Sequence, residues 1–388
     1  MVRVLTKCFL TMLIITMIIW FAGFYSFARE SVIENYDTAA KVENTSDKID
    51  EIMDSNDLDS NVSMKELYKL LLSGKVDEVI NLAVTNICTN VTFDMIKNKE
   101  IISQLILLVI IAAVFSNYSS VLKFSYVGEQ GFYITYLMSA VLLLKSFMII
   151  YELTEQTIVY IKEMMECMLP ALSMSLIMCS GITSSQMTNS ALIWMLSLME
   201  RLILNALLPA VRIYFLIVLL NQISGKDRFS KLAALIKQSV EWILKALIAG
   251  VTGMNVVKSL IAPIYDNVRF NTLQKGISLL PGGSNFTGLS SIFIGTAVLI
   301  KNSIGVAGAV MLIMAGMVPM VKILVFYISY RLVLAFTQPI SDSRITSGIE
   351  GACLSTEILL RLTAASVGLC VLSIAVVLLS TNVRFFAG

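Results

Sequence analysis

Long apolar runs recur in this sequence from about residue 101 to residue 382. Each run is close to the ~20 residues that an α-helix needs to cross a bilayer. The runs are too long, and alternate too poorly between apolar and polar residues, for the strands of a membrane barrel. Only 14% of the 388 residues are charged, against roughly 25% in ordinary globular proteins. The sequence therefore predicts an all-α, polytopic helical membrane protein.

Two of the apolar stretches, 190–223 and 303–336, are too long for one simple crossing. Each would extend ~50 Å as a single helix, well over the ~30 Å hydrocarbon core. Because Pro209 and Pro319 lie near their middles, we expect a helix break at each proline and hence two hairpins. The candidate spans are then 101–122, 131–151, 167–183, 190–206, 207–223, 240–262, 285–300, 303–318, 319–336 and 354–380. In this topology the basic loop 224–231 faces the cytoplasm and the acidic loop 152–166 faces outward.

The N-terminal 100 residues differ in composition from the rest. Residues 1–28 have the basic start, apolar run and small residues of a signal peptide, with an uncleaved signal anchor as the alternative. Residues 29–100 hold 15 acidic and 8 basic residues, a net charge of −7, whereas residues 101–388 hold 12 and 19, a net charge of +7. We therefore expect 29–100 to lie outside the cytoplasm, as a linker followed by a helical hairpin, and 101–382 to form the membrane domain.

The membrane domain contains a candidate internal repeat. MLPALSMSLIM at 168–178 precedes LLPAVRIYFLIVLLNQISGKDR, and LLPGGSNFTGLSSIF at 279–293 precedes MVPMVKILVFYISYRLVLAFTQPISDSR. The prolines are 39 residues apart in the first half and 38 in the second. This spacing predicts two parallel four-segment repeats, 163–272 and 273–382, an arrangement common in transporters and channels. Chance similarity between apolar sequences is the competing explanation.

Enzyme chemistry has little support in this sequence. Histidine is absent, which excludes Ser-His-Asp and Cys-His catalysis. No two of the six cysteines are spaced as C-x-x-C, and neither GxxxxGK[ST] nor GxGxxG occurs. Paired aspartates, HExxH and a GxSxG serine site are also missing. We expect a non-enzymatic chain with no catalytic residues, no metal and no cofactor.

Several segments taken in order resemble the stage III sporulation protein AE family of endospore-forming Firmicutes. They are MLPALSMSLIMCSG, LLPGGSNFTG, VLIKNSIGVAG, MVPMVKILVFYISYRL and QPISDSRI. The resemblance is best over 160–350 and rests on the order and spacing of the segments rather than on any single motif. It implies a membrane subunit of the secretion-like channel that links mother cell and forespore and is required for forespore development.

The resemblance also implies a location and partners. The chain would lie in the mother-cell-derived outer forespore membrane, with its polar N-terminal region in the space between the two membranes. Its partners would be the other subunits of the sporulation channel: an ATPase, small polytopic proteins and ring-forming proteins. The lipid bilayer is the other expected contact, and no nucleic acid is expected.

Polar and small residues inside the apolar runs are the candidate functional positions, because an unpaired charge in a membrane span should face protein or water. Glu357 and Arg361 are four residues apart and can pair on one helix face. The candidates for lining a conduit or contacting another subunit are Lys145, Glu200, Arg201, Arg212, Lys301, Asn302, Lys322 and Arg331. Pairing within the bundle, or extension of the long side chains to the membrane surface, is the simpler explanation for these charges.

The 301–303 segment and the predicted loop that contains Asp342 and Arg344 each have two interpretations. Lys301, Asn302 and Ser303 form either a short helix–helix turn or part of a broken helix that lines a polar path. We expect Gly305, Gly308 and Ala309 to let helices approach closely. Asp342 and Arg344 lie in a predicted cytoplasmic loop, where they either contact a cytoplasmic partner or are simply solvated.

Two functions remain open from the sequence. One is a subunit of the sporulation channel, which the family resemblance implies. The alternative is an independent secondary transporter of a small solute, which the candidate repeat and the intramembrane charges favour. Co-purification with other membrane subunits would support the first, and gradient-driven uptake by this chain alone would support the second.

Overall fold

The computed structural model describes residues 64–73, 125–180, 194–223, 229–278, 283–338 and 343–382, with a few single positions between 75 and 107. All of them belong to one compact unit, 44–388. The signal-like segment 1–28, the linker at 34–62 and nearly all of the predicted span 101–122 lie outside the described residues.

The described residues form long α-helices and contain no β-strand. Residues 194–202 are helical and continue through a π-helical turn, Ile203–Leu207, into α3. The six helices are α1 (Met64–Leu72), α2 (Ser125–Ser180), α3 (Leu208–Ile223), α4 (Ser230–Ser278), α5 (Gly283–Thr337) and α6 (Ser343–Asn382).

Five helical segments of the described chain are long and apolar enough to cross a membrane. They are Tyr136–Met168, Trp194–Asn221, Ser230–Val257, Ser303–Phe336 and Ile345–Leu378. In a bilayer, only helices and closed barrels satisfy every backbone amide internally, so long apolar sequence of this kind folds as helix. The predicted class of polytopic helical membrane protein is confirmed.

The predicted hairpin at Pro319 is wrong. Pro319 lies inside α5, a continuous helix of 55 residues. A proline removes one backbone hydrogen bond, but membrane helices tolerate it because neighbouring helices and local adjustments satisfy the freed carbonyl. Since α5 also passes through 301–303, neither a turn nor a broken helix exists there. The second predicted repeat therefore does not have the four short segments proposed for it, although the duplication itself stays a prediction.

The hairpin at Pro209 is also wrong, but the helix is locally altered at this point. The π-helical turn Ile203–Leu207 ends two residues before the proline, and the Leu208 amide donates to the Ile203 carbonyl five residues back. Proline has no amide hydrogen to give to the preceding turn, and π-type adjustments are a common way to accommodate it. The chain therefore continues through Pro209 without reversing direction.

The predicted outward loop 152–166 is helical as well. It lies within α2, whose 56 residues join the predicted spans 131–151 and 167–183 into one helix. Its carboxylates Glu152, Glu155, Glu163 and Glu166 are exposed on the surface of that helix. The predicted loop is therefore wrong, and its charges belong to a polar face of α2.

Two hydrogen bonds fix the relative directions of α2, α3 and α5. The Tyr136 hydroxyl, early in α2, donates to the Leu219 carbonyl late in α3, at 2.9 Å. Ser146 of α2 lies 2.5 Å from Tyr330 late in α5. α2 therefore runs antiparallel to both α3 and α5, and the C-terminal ends of α3 and α5 lie at the same end of the bundle.

α6 is the central helix. It contacts α2, α3, α4 and α5, and α1 packs against α5 with Leu67 fully buried. α6 contributes more buried polar side chains than any other helix of the described bundle: Ser355, Thr356, Thr363, Ser366 and Ser373. Several of these hydroxyls donate to the carbonyl four residues earlier, so a polar sequence is compatible with a buried membrane helix.

Candidate functional site

A charged cluster lies between α4 and α6. The Arg361 guanidinium donates to Glu357, one turn earlier on α6, which confirms the predicted pairing of these two residues. The same guanidinium lies 3.8 Å from the Glu241 carboxylate of α4. We call Glu241, Glu357 and Arg361 the mid-span cluster. Its two carboxylates and one cation leave a net charge of −1.

The cluster lies inside the candidate membrane spans of α4 and α6. Arg361 is the seventeenth residue of the 34-residue span Ile345–Leu378, and Glu241 is the twelfth of the 28-residue span Ser230–Val257. A charged side chain inside a span must contact protein or water, or extend to the membrane surface. A charge at this depth costs roughly 2.5–3.5 kcal/mol on insertion scales unless it meets protein or water.

The mid-span cluster is only partly covered by the bundle. The Arg361 side chain is 52% exposed, Glu241 27% and Glu357 24%. Glu350 and Gly368 are exposed on the same face of α6, seven residues before Glu357 and seven after Arg361. We call this stripe, with the half-buried Ala364, the open face of α6. α6 packs against four other helices, yet this charged stripe remains exposed on its surface.

Arg331 of α5 lies close to this face. Its Nε donates to the Tyr327 hydroxyl at 3.0 Å, and its guanidinium lies 5.3 Å from the centre of the same ring. It also lies beside the Cys353 thiol of α6. Of the predicted subunit-contact residues with described side chains, Arg331 is therefore the one that borders the open face.

Glu200 occupies a different and fully buried position. Its side chain is 1% exposed and its carboxylate accepts a hydrogen bond from the Cys370 thiol of α6 at 3.5 Å. One turn further along α6, Ser373 accepts from the Asn255 amide of α4 at 3.0 Å and donates to the Leu369 carbonyl. Within the described residues, the Asn255 Oδ1 is buried with no hydrogen-bond partner. Glu200 and Asn255 thus line one polar layer on α6.

The other predicted charged residues are not gathered at either site. Lys145, Arg201 and Arg212 are exposed on separate parts of the bundle, and Lys322 is half-buried. Arg212 lies over the Tyr151 ring, 5.7 Å from its centre. The side chains of Lys301 and Asn302 lie outside the described part of the chain.

The structure describes only one of the two predicted loop residues, Asp342 and Arg344. Arg344 belongs to the first turn of α6 rather than to a loop, because that helix begins at Ser343. Asp342 lies outside the described residues. The contact that either would make with a cytoplasmic partner stays a prediction.

Close helix contacts occur at several glycines. A Cβ added to Gly305 would overlap Leu378, and one added to Gly308 would overlap the end of Met168, whereas Ala309 is half-buried. Two further glycines lie against stiffer β-branched side chains: Gly316 against Val367 and Gly351 against Val218.

Sequence reasoning missed Glu241, Glu350 and Asn255. Glu241 lies 120 residues before its partner Arg361, so no local spacing relates the two. An unexplained carboxylate near the middle of an apolar run was the available signal, because such residues are rare in membrane spans. In the described part of the chain no three His, Cys, Asp or Glu side chains converge as metal ligands.

Comparison with known proteins identifies the family. The family model "Stage III sporulation protein AE" matches residues 62–381. The chain is similar to the stage III sporulation protein AE of Bacillus subtilis (strain 168), with 20% identity over 259 residues, 66% of this chain and 65% of that relative. The match thus spans less than two thirds of the relative's length, and no solved structure matches. Because the family model covers most of its length, this chain belongs to the stage III sporulation protein AE family.

Proposed function

We propose that this sporulation-family membrane protein is a non-enzymatic subunit of the secretion-like channel between mother cell and forespore. The observation that carries the proposal is the mid-span cluster, which lies within two candidate membrane spans and which the bundle leaves partly exposed. A chain that worked alone in lipid would need to bury such charges or open them to water. A face that stays charged at this depth fits contact with a neighbouring membrane subunit.

The proposed location is the outer forespore membrane, with residues 29–100 outside the cytoplasm. The C-terminal ends of α3 and α5 share one end of the bundle, and the adjoining sequence carries Lys226, Arg228 and Arg344. If 101–122 is a further span, this end faces the cytoplasm, in agreement with the positive-inside rule. Its proposed neighbours are the ATPase on the cytoplasmic side, small polytopic subunits in the membrane and ring-forming proteins outside it.

The test is genetic and uses the mid-span cluster. A deletion strain of the host receives the wild-type gene, Arg361→Gln or the control Glu163→Gln, which alters an exposed carboxylate on another helix. We expect normal vegetative growth in every strain and heat-resistant spores with the wild type and the control. Arg361→Gln should lose spores after engulfment and should no longer co-purify with the other membrane subunits. Normal sporulation of the deletion strain would contradict the proposal.

A second candidate function is an independent secondary transporter, which the buried Glu200 favours. Carboxylates inside membrane bundles commonly mark ion or proton paths. Purified protein in vesicles would then accumulate a solute under an imposed proton or sodium gradient, and Glu200→Gln would stop it. Absence of uptake across a broad panel of solutes would remove this candidate and leave the subunit role unaffected.

A further inference from the structure

A buried carboxylate and a buried amide reach the same side of α6 from two other helices. Glu200 accepts a hydrogen bond from the Cys370 thiol, and the Asn255 amide donates to the Ser373 hydroxyl. All four side chains are at most 2% exposed. We call these four residues the polar layer. Because Cys370 and Ser373 are three residues apart, their Cβ atoms are separated by only about 5–6 Å on the helix surface.

The helices that carry Glu200 and Asn255 also contact each other. A Cβ built on Gly250 of α4, five residues before Asn255, would lie 3.1 Å from the terminal methyl carbon of Met195, five residues before Glu200. The helical segment 194–202, α4 and α6 therefore meet in one three-helix contact. The polar layer lies inside that contact rather than on a surface that lipid could reach.

The hydrogen bonds fix the orientation of the Asn255 amide. Ser373 gives its own proton to the Leu369 carbonyl, so its hydroxyl accepts from Asn255 Nδ2. Oδ1 then faces away from Ser373, and it is buried with no hydrogen-bond partner among the described residues. The Ser366 hydroxyl, one turn before Cys370, is a second such atom. Since an ionised Glu200 carboxylate only accepts, it cannot satisfy the Asn255 oxygen.

The charged side chains described around Glu200 do not supply a cation to it directly. Lys162 and Glu166 of α2 act on Glu200 with opposite signs, and they lie 3.8 Å from each other as an ion pair. Arg201, the next residue in the chain, is exposed. Within the described side chains, Glu200 therefore brings one carboxylate into a layer of neutral oxygen atoms and a thiol.

We propose that the polar layer binds one sodium ion between the Glu200 carboxylate and Asn255 Oδ1, with the Ser366 hydroxyl as a further oxygen ligand. Carboxylate, amide and hydroxyl oxygens suit a hard cation. One carboxylate balances one positive charge, whereas a divalent ion would leave a net charge buried among the helices. The inference concerns binding alone, so it depends neither on the subunit role nor on transport.

The experiment measures equilibrium binding of radioactive sodium to the full chain, purified in detergent with choline chloride as the only other salt. We expect saturable binding of one ion per chain. Glu200→Gln and Asn255→Leu should each weaken it about tenfold or more, as expected when a ligand to a charged group is lost. Glu163→Gln, which alters an exposed carboxylate of α2, is the matched control and should bind as the wild type does.

Unfolding measurements separate loss of the site from loss of the fold. Because Asn255 Oδ1 has no partner among the described residues, Asn255→Leu should unfold close to the wild type in choline buffer. Replacing choline by sodium at constant ionic strength should then raise the unfolding midpoint of the wild type and of Glu163→Gln, since a ligand that binds only the folded chain stabilises it. The same replacement should leave Asn255→Leu and Glu200→Gln unchanged.

Lys258 provides a competing cation that the experiment must include. It follows Asn255 by three residues on α4, and its side chain lies outside the described part of the chain. If its ammonium occupies the layer, the wild type should bind no sodium and Lys258→Gln should bind one ion. That result would overturn the inference.

Two other results would also overturn it. One is the absence of saturable sodium binding by the wild type and by Lys258→Gln alike. The other is equal binding by the wild type, Glu200→Gln and Asn255→Leu, which would place the ion elsewhere in the protein. Because these measurements use purified protein and leave Arg361 unchanged, their failure does not affect the spore and co-purification tests of the subunit role.

Discussion

The Tyr330 hydroxyl of α5 meets the Ser146 hydroxyl of α2 at 2.5 Å inside the bundle, across 184 residues of sequence. Ser146 also bonds the Leu143 carbonyl at 3.0 Å. Since the serine proton goes to that carbonyl, the tyrosine is the donor between the two hydroxyls. This bond joins the start of one membrane span to the end of another.

Tyr330→Phe removes that bond and keeps the ring. We expect a loss of about 0.6–1.7 kcal/mol in the free energy of unfolding, the range measured for interhelical hydrogen bonds in a membrane protein. Ser146→Ala should cost a similar amount, and the double variant little more than either single one, because both remove the same interaction. The measurement is unfolding in mixed detergent and sodium dodecyl sulfate micelles. Fully additive losses would show that the two hydroxyls do not interact.

Gly351→Ala tests a close contact between α6 and α3. The added methyl group would overlap Val218, whose branched side chain has little freedom to move. We expect a loss of about 1–3 kcal/mol, as for overpacking in other cores. The matched control is Gly368→Ala on the same helix, where a Cβ meets nothing within 4 Å. That control should be neutral or stabilising by up to about 1 kcal/mol, since alanine is the better helix former.

Asn255→Leu tests the polar layer beside Glu200. Asn255 makes one hydrogen bond to Ser373, but its buried Oδ1 has no partner among the described residues. Leucine removes a satisfied donor and an unsatisfied acceptor together, and Ser373 keeps its bond to Leu369. We therefore expect a change in unfolding free energy of less than about 1 kcal/mol. A large loss of stability would indicate that Oδ1 accepts a hydrogen bond when the protein is in the membrane. Loss of spores with unchanged stability would assign Asn255 a functional role.

Thiol labelling tests the burial assigned to α6. Cys353 and Cys370 are buried, with 2% and 0% exposure, whereas Cys167 of α2 is half-buried. In variants that keep one cysteine each, we expect a small maleimide to modify Cys167 well before Cys353 or Cys370. All three should react at similar rates after denaturation, which serves as the control. Fast labelling of Cys370 in native vesicles would place water in the layer that contains Glu200.

Contacts between residues that are close in the sequence could be predicted from their spacing. The pairing of Glu357 with Arg361 followed from their four-residue spacing, and the structure contains it. Glu241, the third member of the same cluster, could not be found this way, because its position depends on how α4 packs against α6. The class of fold was predictable from the apolar runs alone, whereas the site required the tertiary arrangement.

The number and length of the helices were harder to predict for two physical reasons. A proline is usually a reason to end a helix, but Pro319 lies inside α5, where surrounding helices make the missing hydrogen bond tolerable. The charges of 152–166 indicate a loop when counted along the chain, yet they form the exposed side of α2. In both cases the environment of the helix, rather than its own sequence, decided the outcome.

The π-helical turn at Ile203–Leu207 has a consequence for comparing this chain with its relatives. A turn of this kind contains one residue more than a regular helical turn, so every later side chain is rotated by about 100° around the axis. Leu207 and Leu208, where the π-helical turn meets α3, are both buried. A relative with a regular helix here should therefore align with a single-residue gap at 203–207, and an ungapped alignment would pair outward-facing residues with core residues from that point onward.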